Sequence, residues 1–405
     1  MNPTLPSLAP VVRLLAFGML AALPVSVGGV NLFAAMTVSA ALLSREWWQA
    51  CGKVWRQPAA LSVLVLLGLL VVGMAYTEGT LQDGWAVLAK YRKLMLIPIL
   101  LPFFQEDRDR LTAMRVLAFA IGFTLLASWT EYLGWTHLSD PAYVTDSPPG
   151  DAVFKMHIPQ GTLFSLLVVL GIGLAREART ALSRAFYWAM AALAAVDIAW
   201  VMVGRTGKAI LPVIAIWALW ETARARAAGS RFRWITVCAG ALLVLAATGW
   251  IASSQNTMLG SVAREIHRSE ETGAITSQGI RLSFYRMAAQ LIAERPWVGH
   301  GTGSVPADTE ILAARGSTPV SRVSTVNLHN EFLMWTVQFG WPGLTAILML
   351  FVALWRESFR LSGTTGLLLR GLWVVFASGC LFNSYLLDFA EGYALVLSAG
   401  ILLPL

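Results

Sequence analysis

The chain has 405 residues, 57% of them apolar and only 13% charged, with 17 Trp and 18 Phe. A soluble chain is about half apolar and a quarter charged; here the halved charge is bunched between apolar runs long enough to cross a hydrocarbon core of roughly 30 Å. That pattern excludes a soluble enzyme, a disordered protein and, despite the net charge of +7, a nucleic-acid binder. Solid apolar blocks also exclude an outer-membrane barrel, whose strands alternate over about 10 residues. The fold class expected is an all-α polytopic membrane protein.

In chain order, apolar segments lie near 11–25, 29–44, 59–76, 91–104, 111–133, 158–175, 185–204, 207–223, 234–253, 331–355, 364–382 and 385–405. They predict about twelve transmembrane helices. Pro24 and the Gly28-Gly29 pair predict a break that makes 11–44 two short helices rather than one span. Little positive charge precedes the first run, so it reads as an uncleaved span. Cys51, Cys238 and Cys380 form no disulfide framework and no CxxC metal pair, and Cys238 and Cys380 read as small buried apolar side chains.

Lys and Arg counts in the short loops set the orientation. One set holds Arg45, Lys53, Arg56, Arg108, Arg110, Arg115, Arg176, Arg179, Arg184, Arg224, Arg226, Arg231, Arg233, Arg356, Arg360 and Arg370. The alternate set holds only Lys90, Arg92, Lys93, Lys155, Arg205 and Lys208. The first set is assigned to the cytoplasm. All five histidines and the long connection 255–328 then fall outside, dividing the chain into spans 1–254, an outer loop region 255–328 and spans 329–405. A connection of that length between spans is usually functional. Within it, Arg281 to Arg295 has helical spacing, Pro296 stops it, and Gly299–Gly303 forms a turn. Seven Arg against six acids leave the loop nearly neutral, so any anion must be held by particular arginines.

Several motifs compete as chemistry. Asp107-Arg108-Asp109 resembles a metal-binding DxD but sits in a short cytoplasmic loop, so a solvated loop with a helix cap is the better reading. Gly299–Gly303 lacks the GK[ST] of a phosphate loop. Arg205 and Lys208 interrupt an apolar run, and an arginine at membrane depth marks a functional pathway by default; snorkelling suits Lys208 better than Arg205. Asp197, two turns earlier, either pairs with an arginine or shares that pathway. Asp388 and Glu391, at i and i+3, share a helix face and either orient a base or pair with a cation. Lys90, Arg92 and Lys93 oppose the positive-inside trend and fit either a lipid phosphate or an interfacial anchor. His329-Asn330-Glu331-Phe332 ends the long loop where the chain re-enters the membrane, the place for a base acting on a sugar hydroxyl. A helix-capping histidine is the rival reading.

His329-Asn330, then nine residues, then Gly340-Trp341-Pro342-Gly343, resembles the motif shared by O-antigen ligases, the related polymerases and the O-oligosaccharyltransferases. Arg205 at the outer start of a span, Arg281 about fifty residues before the histidine, and Pro296-Trp297-Val298-Gly299-His300-Gly301 fit the same resemblance. Asn383 to Gly392 is similar to the ligases' final-helix pattern. His300 departs from it, standing where an apolar residue is usual. The resemblance implies a GT-C type glycosyltransferase of the bacterial inner membrane. Such an enzyme moves a glycan from undecaprenyl pyrophosphate to a sugar hydroxyl of lipid A–core on the periplasmic face.

The residue chemistry agrees. Bidentate arginines can neutralise a pyrophosphate leaving group without metal, and no outer acidic cluster is apparent in the sequence. Histidine suits a base titrating near neutrality. One base and no obvious nucleophile predict a single inverting displacement. His329 is the expected base, with Arg205, Arg281, Lys90, Arg92 and Lys93 on the donor pyrophosphate. Asn330, Asp388, Glu391, Arg286 and His300 are supporting residues, and neither metal nor cofactor is expected. The expected partners are the lipid-linked glycan, lipid A–core and membrane lipid. The alternatives are an O-antigen polymerase, a protein O-oligosaccharyltransferase and, from another class, a transporter; the polar residues gather at one outer rim without a repeat, unlike many transporters.

Overall fold

A computed structural model describes residues 6–139, 148–225, 238, 240, 242 and 258–405. The described residues are helical, without strands. Ala9–Ala22 (α1) and Val27–Leu42 (α2) form a hairpin broken at residues 23–26, where the Ser26 hydroxyl accepts from the Gly29 amide at 3.0 Å. The expected break between two short helices is therefore present. The amphipathic Arg45–Val54 (α3) turns away from α2 by 88°, and Pro58–Gly73 (α4) and Leu81–Tyr91 (α5) follow.

The segment expected as a span at 91–104 is corrected by the structure. It is a 3₁₀ turn, the five-residue helix Leu96–Leu100 (α6) and a second 3₁₀ turn. Pro98 and Pro102 supply no amide hydrogen, so a continuous helix ladder is not available there. Its apolar side chains, Leu94, Ile97, Leu100 and Leu101, are nonetheless fully buried.

Asp107–Tyr132 (α7), His157–Glu177 (α8) and Ala181–Val196 (α9), the last extended by a π turn to Val201, lead to Arg205–Ala225 (α10). The outer region holds Met258–Thr272 (α11), Ser277–Glu294 (α12) and Val305–Ala314 (α13). Glu331–Ser358 (α14), Gly363–Gly379 (α15) and Phe389–Leu402 (α16) complete the chain. Among the described residues, α7, α8, α9 with its extension and α14 are long and apolar enough to cross a membrane, and the bent α2–α3 pair would make a fifth. Helices α1, α4 and α16 are apolar but shorter. The apolar run 234–253 lies largely outside the described residues.

α8 forms the centre of the bundle, packed by α7, α9, α10, α15 and α16 and buried along almost its whole length. Arg370, expected among the cytoplasmic loop charges, is instead fully buried in α15. It pairs with the buried Glu221 of α10 and donates to the Ser358 carbonyl at 2.8 Å. Of the cysteines expected inside, Cys380 is buried and Cys238 is exposed.

One break positions the outer end. Inside α14, Gly340 adopts φ +62°, a conformation that only glycine takes without strain, and a Cβ there would strike the Pro296 carbonyl. Pro342 lacks the amide that would otherwise serve the Gln338 carbonyl. The turn 296–303 fills both vacancies. His300 N–H donates to the Val337 carbonyl at 3.0 Å, Gly301 N–H to the Gln338 carbonyl at 2.8 Å, and Trp341 N–H reaches the Pro296 carbonyl at 2.8 Å. The two glycine motifs of the sequence are thus one docking joint.

The His300 side chain closes the joint. Its Nε2 donates to the Leu291 carbonyl at 2.9 Å, while Nδ1 lies 2.9 Å from Glu78 and 3.5 Å from Asp308. Glu78 also pairs with Arg295. Burial alone would lower the imidazole pKa, but Asp308, Glu78 and the Leu291 carbonyl outweigh it and raise it to about 9. Glu78, Asp308, Arg295 and imidazolium then sum to zero charge. Because the folded protein favours the protonated ring, this stabilisation is complete below the ordinary value near 6.5 and is lost as pH rises through about 9. The expected result is a melting temperature in detergent that falls across that window for the native chain but is flatter in His300→Gln. Equal slopes would show that His300 is not the titrating clamp.

Candidate active site

His329 stands at the end of the outer region with φ +53°, the one described non-glycine residue with positive φ. Three contacts hold it there. Its amide donates to Asn327 Oδ1 at 2.8 Å, its carbonyl accepts from the Tyr285 hydroxyl of α12 at 3.1 Å, and its ring stacks on Phe284 with centroids 6.3 Å apart. The helix cap is Asn330, whose side-chain oxygen accepts from the Leu333 amide at 3.0 Å. His329 is therefore relieved of capping. Its Nδ1 is buried without a hydrogen-bond partner among the described residues. Burial first, and then the nearby Arg281 charge, hold its pKa below the ordinary imidazole value, with Asn383 opposing.

Arg281, four residues before Tyr285 on α12, has no carboxylate partner among the described residues. Burial lowers its pKa, and of its charged neighbours Arg205 adds to the effect. Arg205 opens α10 and pairs with Glu265 of α11 through both terminal nitrogens, one contact being 3.1 Å. That bond holds the Glu265 carboxyl below its ordinary range. The turn before Arg205 is built by buried Asp151, which accepts from the Val203 amide at 2.7 Å and the Gly204 amide at 3.3 Å. Asn383 joins this side to the histidine, since its amide donates to the Thr206 hydroxyl at 3.2 Å. His329, Arg281, Arg205 and Asn383 thus converge from four separate chain segments.

The other expected residues are placed apart from this cluster. Lys93 is buried and donates to the Asp388 carbonyl, so it serves as an internal counter-charge. Lys90 and Arg92 are exposed at a pocket of about 360 Å³ shared with Lys93, Asp388 and Tyr393. The Asp388 carboxylate accepts from Asn327 at 3.4 Å, which links that pocket to the backbone of His329. Glu391 is fully buried, and neither of its oxygens has a hydrogen-bond partner among the described residues. Arg286 faces outward, pairs with Glu270 at 2.6 Å and borders an outer cleft of about 710 Å³. His300 belongs to the joint with Glu78 and Asp308. Asp197 pairs with no arginine among the described residues and accepts instead from the Ser128 hydroxyl at 2.8 Å. The two acids of Asp107-Arg108-Asp109 are engaged in ion pairs, Asp109 with Arg13 and Asp107 with Arg110.

Tyr285, Asn327, Asp151 and Glu265 carried no sequence signal that singled them out. Glu331 was passed over within its motif. It is fully buried and accepts from Tyr91 at 2.8 Å, Trp335 at 2.9 Å and the Leu386 amide at 2.8 Å, tying α5 and the 381–388 turn to the start of α14. Glu78, His300 and Asp308 come close enough to hold a cation, a cluster the sequence did not reveal because they lie in three distant segments. Their charges are already balanced by Arg295 and a protonated His300.

Residues 189–348 match the family profile described as O-antigen ligase. No curated protein matches the chain. The matched stretch encloses Arg205, Arg281, His329 and the Gly340 break, and leaves Lys90 to Lys93, Asp388 and Glu391 outside it. That stretch, with its two arginines, its histidine and its helix break, is similar to the O-antigen ligase family.

Proposed function

We propose that the chain transfers a glycan from undecaprenyl pyrophosphate to a sugar hydroxyl of lipid A–core at the periplasmic face of the bacterial inner membrane, within a polytopic GT-C type fold. The observation that carries this reading is a half-buried histidine whose Nδ1 has no hydrogen-bond partner among the described residues, beside an arginine with no carboxylate partner among them. The histidine and arginine lie in the stretch similar to the O-antigen ligase family. The acceptor hydroxyl oxygen attacks the anomeric carbon as His329 takes its proton. The bond from that carbon to the pyrophosphate breaks, and its electron pair leaves with the pyrophosphate. One displacement inverts the anomeric centre. Lys90 and Arg92 remain a lipid-phosphate contact in this scheme, and Lys93 does not.

Arg281 has two effects in this scheme. In the free protein its charge keeps His329 deprotonated and therefore ready, but also makes it a weak base. A pyrophosphate bound to Arg281 cancels that charge and strengthens the base when the donor is in place. Both terminal nitrogens of Arg205 face Glu265, so in this scheme the pyrophosphate takes over that two-point pairing from the carboxylate.

Lysine keeps the charge of arginine but loses the fork. Arg205→Lys and Arg281→Lys should therefore each lose most ligation activity in an assay with lipid-linked glycan and lipid A–core. Near-native rates in both would refute two-point binding. Transfer is expected to persist in EDTA, because arginines supply the positive charge; abolition by EDTA with rescue by magnesium or manganese would overturn this.

Removing His329 as general base should cost about 100- to 10,000-fold in rate, while donor binding largely survives in His329→Ala. The acid limb of the native rate profile should have its midpoint below the ordinary imidazole value of about 6.5. A folded His329→Asn protein that ligates at more than about a tenth of the native rate would remove the base role. Loss of donor binding would instead move His329 into the pyrophosphate site.

A further inference from the structure

At the end of the bundle away from His329, a cleft of about 530 Å³ opens between α7, α8 and α9. Its place is fixed by two contacts: the hydroxyls of Thr365 and Thr364, at the start of α15, donate to Asp107 at 3.1 Å and Glu177 at 3.2 Å. α15 follows directly on the far end of α14, whose near end carries His329. The three helices that form the cleft are three of the four long enough to cross a membrane. Their common end therefore lies at headgroup depth.

The lining mixes basic and apolar side chains: Arg108, Leu111 and Arg115 come from successive turns of α7, Arg179 from the α8–α9 turn, Leu174 from α8 and Tyr187 from α9. None of these arginines has a carboxylate partner among the described residues. The two acids at the rim are engaged elsewhere, Asp107 by Arg110 and Thr365 and Glu177 by Thr364.

We propose that this cleft binds the phosphodiester headgroup of an anionic glycerophospholipid, with Arg108, Arg115 and Arg179 on the phosphate and the acyl chains leaving past Leu111 and Leu174. A basic pocket between helix ends at the interface suits such a headgroup, and an arginine fork pairs with two phosphate oxygens. The inference does not depend on the reaction at His329.

The test uses the full chain in neutral detergent, with lipid adducts counted by native mass spectrometry and melting followed as lipid is titrated. Phosphatidylglycerol should bind and raise the melting temperature, and phosphatidylcholine should do so far less. The triple variant Arg108→Gln/Arg115→Gln/Arg179→Gln should bind phosphatidylglycerol about 10- to 100-fold more weakly. A control at another loop of the same charge set, Arg45→Gln/Lys53→Gln/Arg56→Gln, should bind as the native chain does. All three cleft arginines are partly or fully exposed, so the variant should fold. Equal weakening in the control would reduce the effect to general surface charge and overturn the site. Undiminished binding in the triple variant would overturn it too. Soluble glycerol phosphate binding as tightly as the lipid would replace the lipid with a free anion.

Discussion

The outer end of the molecule depends on a helix that stops being a helix at Gly340. A positive-φ glycine, followed two residues later by a proline, releases backbone carbonyls that an intact α14 would satisfy internally. Such groups are costly to leave unpaired away from water. The turn 296–303 satisfies them with its own amides, which fixes where the outer region lies against the spans. The half-helix 331–339 is thus held at both ends, by Asn330 at the start and by the turn at the finish. His329, immediately before it, inherits that rigidity. The nine-residue spacing between the histidine pair and the glycines is the length of this half-helix.

Charge is handled in two ways across the structure. Where an ionisable side chain is deeply buried, donors or counter-ions usually surround it. Glu331 has three donors, Arg370 has Glu221 and a carbonyl, and Lys93 has the Asp388 carbonyl. Removing one member of such a set leaves a buried uncompensated charge, which costs about 3–5 kcal/mol. These groups are therefore part of the scaffold. Arg281 breaks the pattern, being largely buried with no acid against it among the described residues and a second arginine nearby. Arg205 is itself balanced by Glu265, so of these two arginines it is the positive charge of Arg281 that is left over among the described residues.

Much of this was legible in the sequence because membrane helices announce themselves through unbroken apolar runs, and the break at Pro24 and the helix before Pro296 followed from backbone chemistry alone. His329 and Arg205 stand out because polar groups at the ends of such runs are expensive, whereas Arg281, inside the long connection, enters only through the family resemblance. The segment 91–104 misleads because apolar content does not distinguish a spanning helix from a buried irregular strip; Pro98 and Pro102 carry that information. Arg370 misled for the same reason in reverse, since a charge near a run's end reads as a loop whether it is solvated or paired inside. His300, expected as a supporting residue of the site, instead joins Glu78 from a distant segment and Asp308 from the next helix. Long-range pairings of this kind are set by packing, which no local pattern encodes.

The backbone of His329 bears on why a histidine occupies that position. A left-handed conformation at a residue other than glycine costs on the order of 1–3 kcal/mol, and the chain spends the Asn327 amide bond, the Tyr285 hydroxyl and the Phe284 ring on keeping it. If the position served only to turn the chain into α14, glycine or asparagine would do so with less strain. The capping function is already met next door by Asn330. What the strained backbone achieves is the placement of one imidazole, with its Nδ1 lacking any partner among the described residues, in the field of Arg281. Three separate contacts hold this strained backbone, and the fold around it keeps the imidazole close enough to Arg281 to feel its charge.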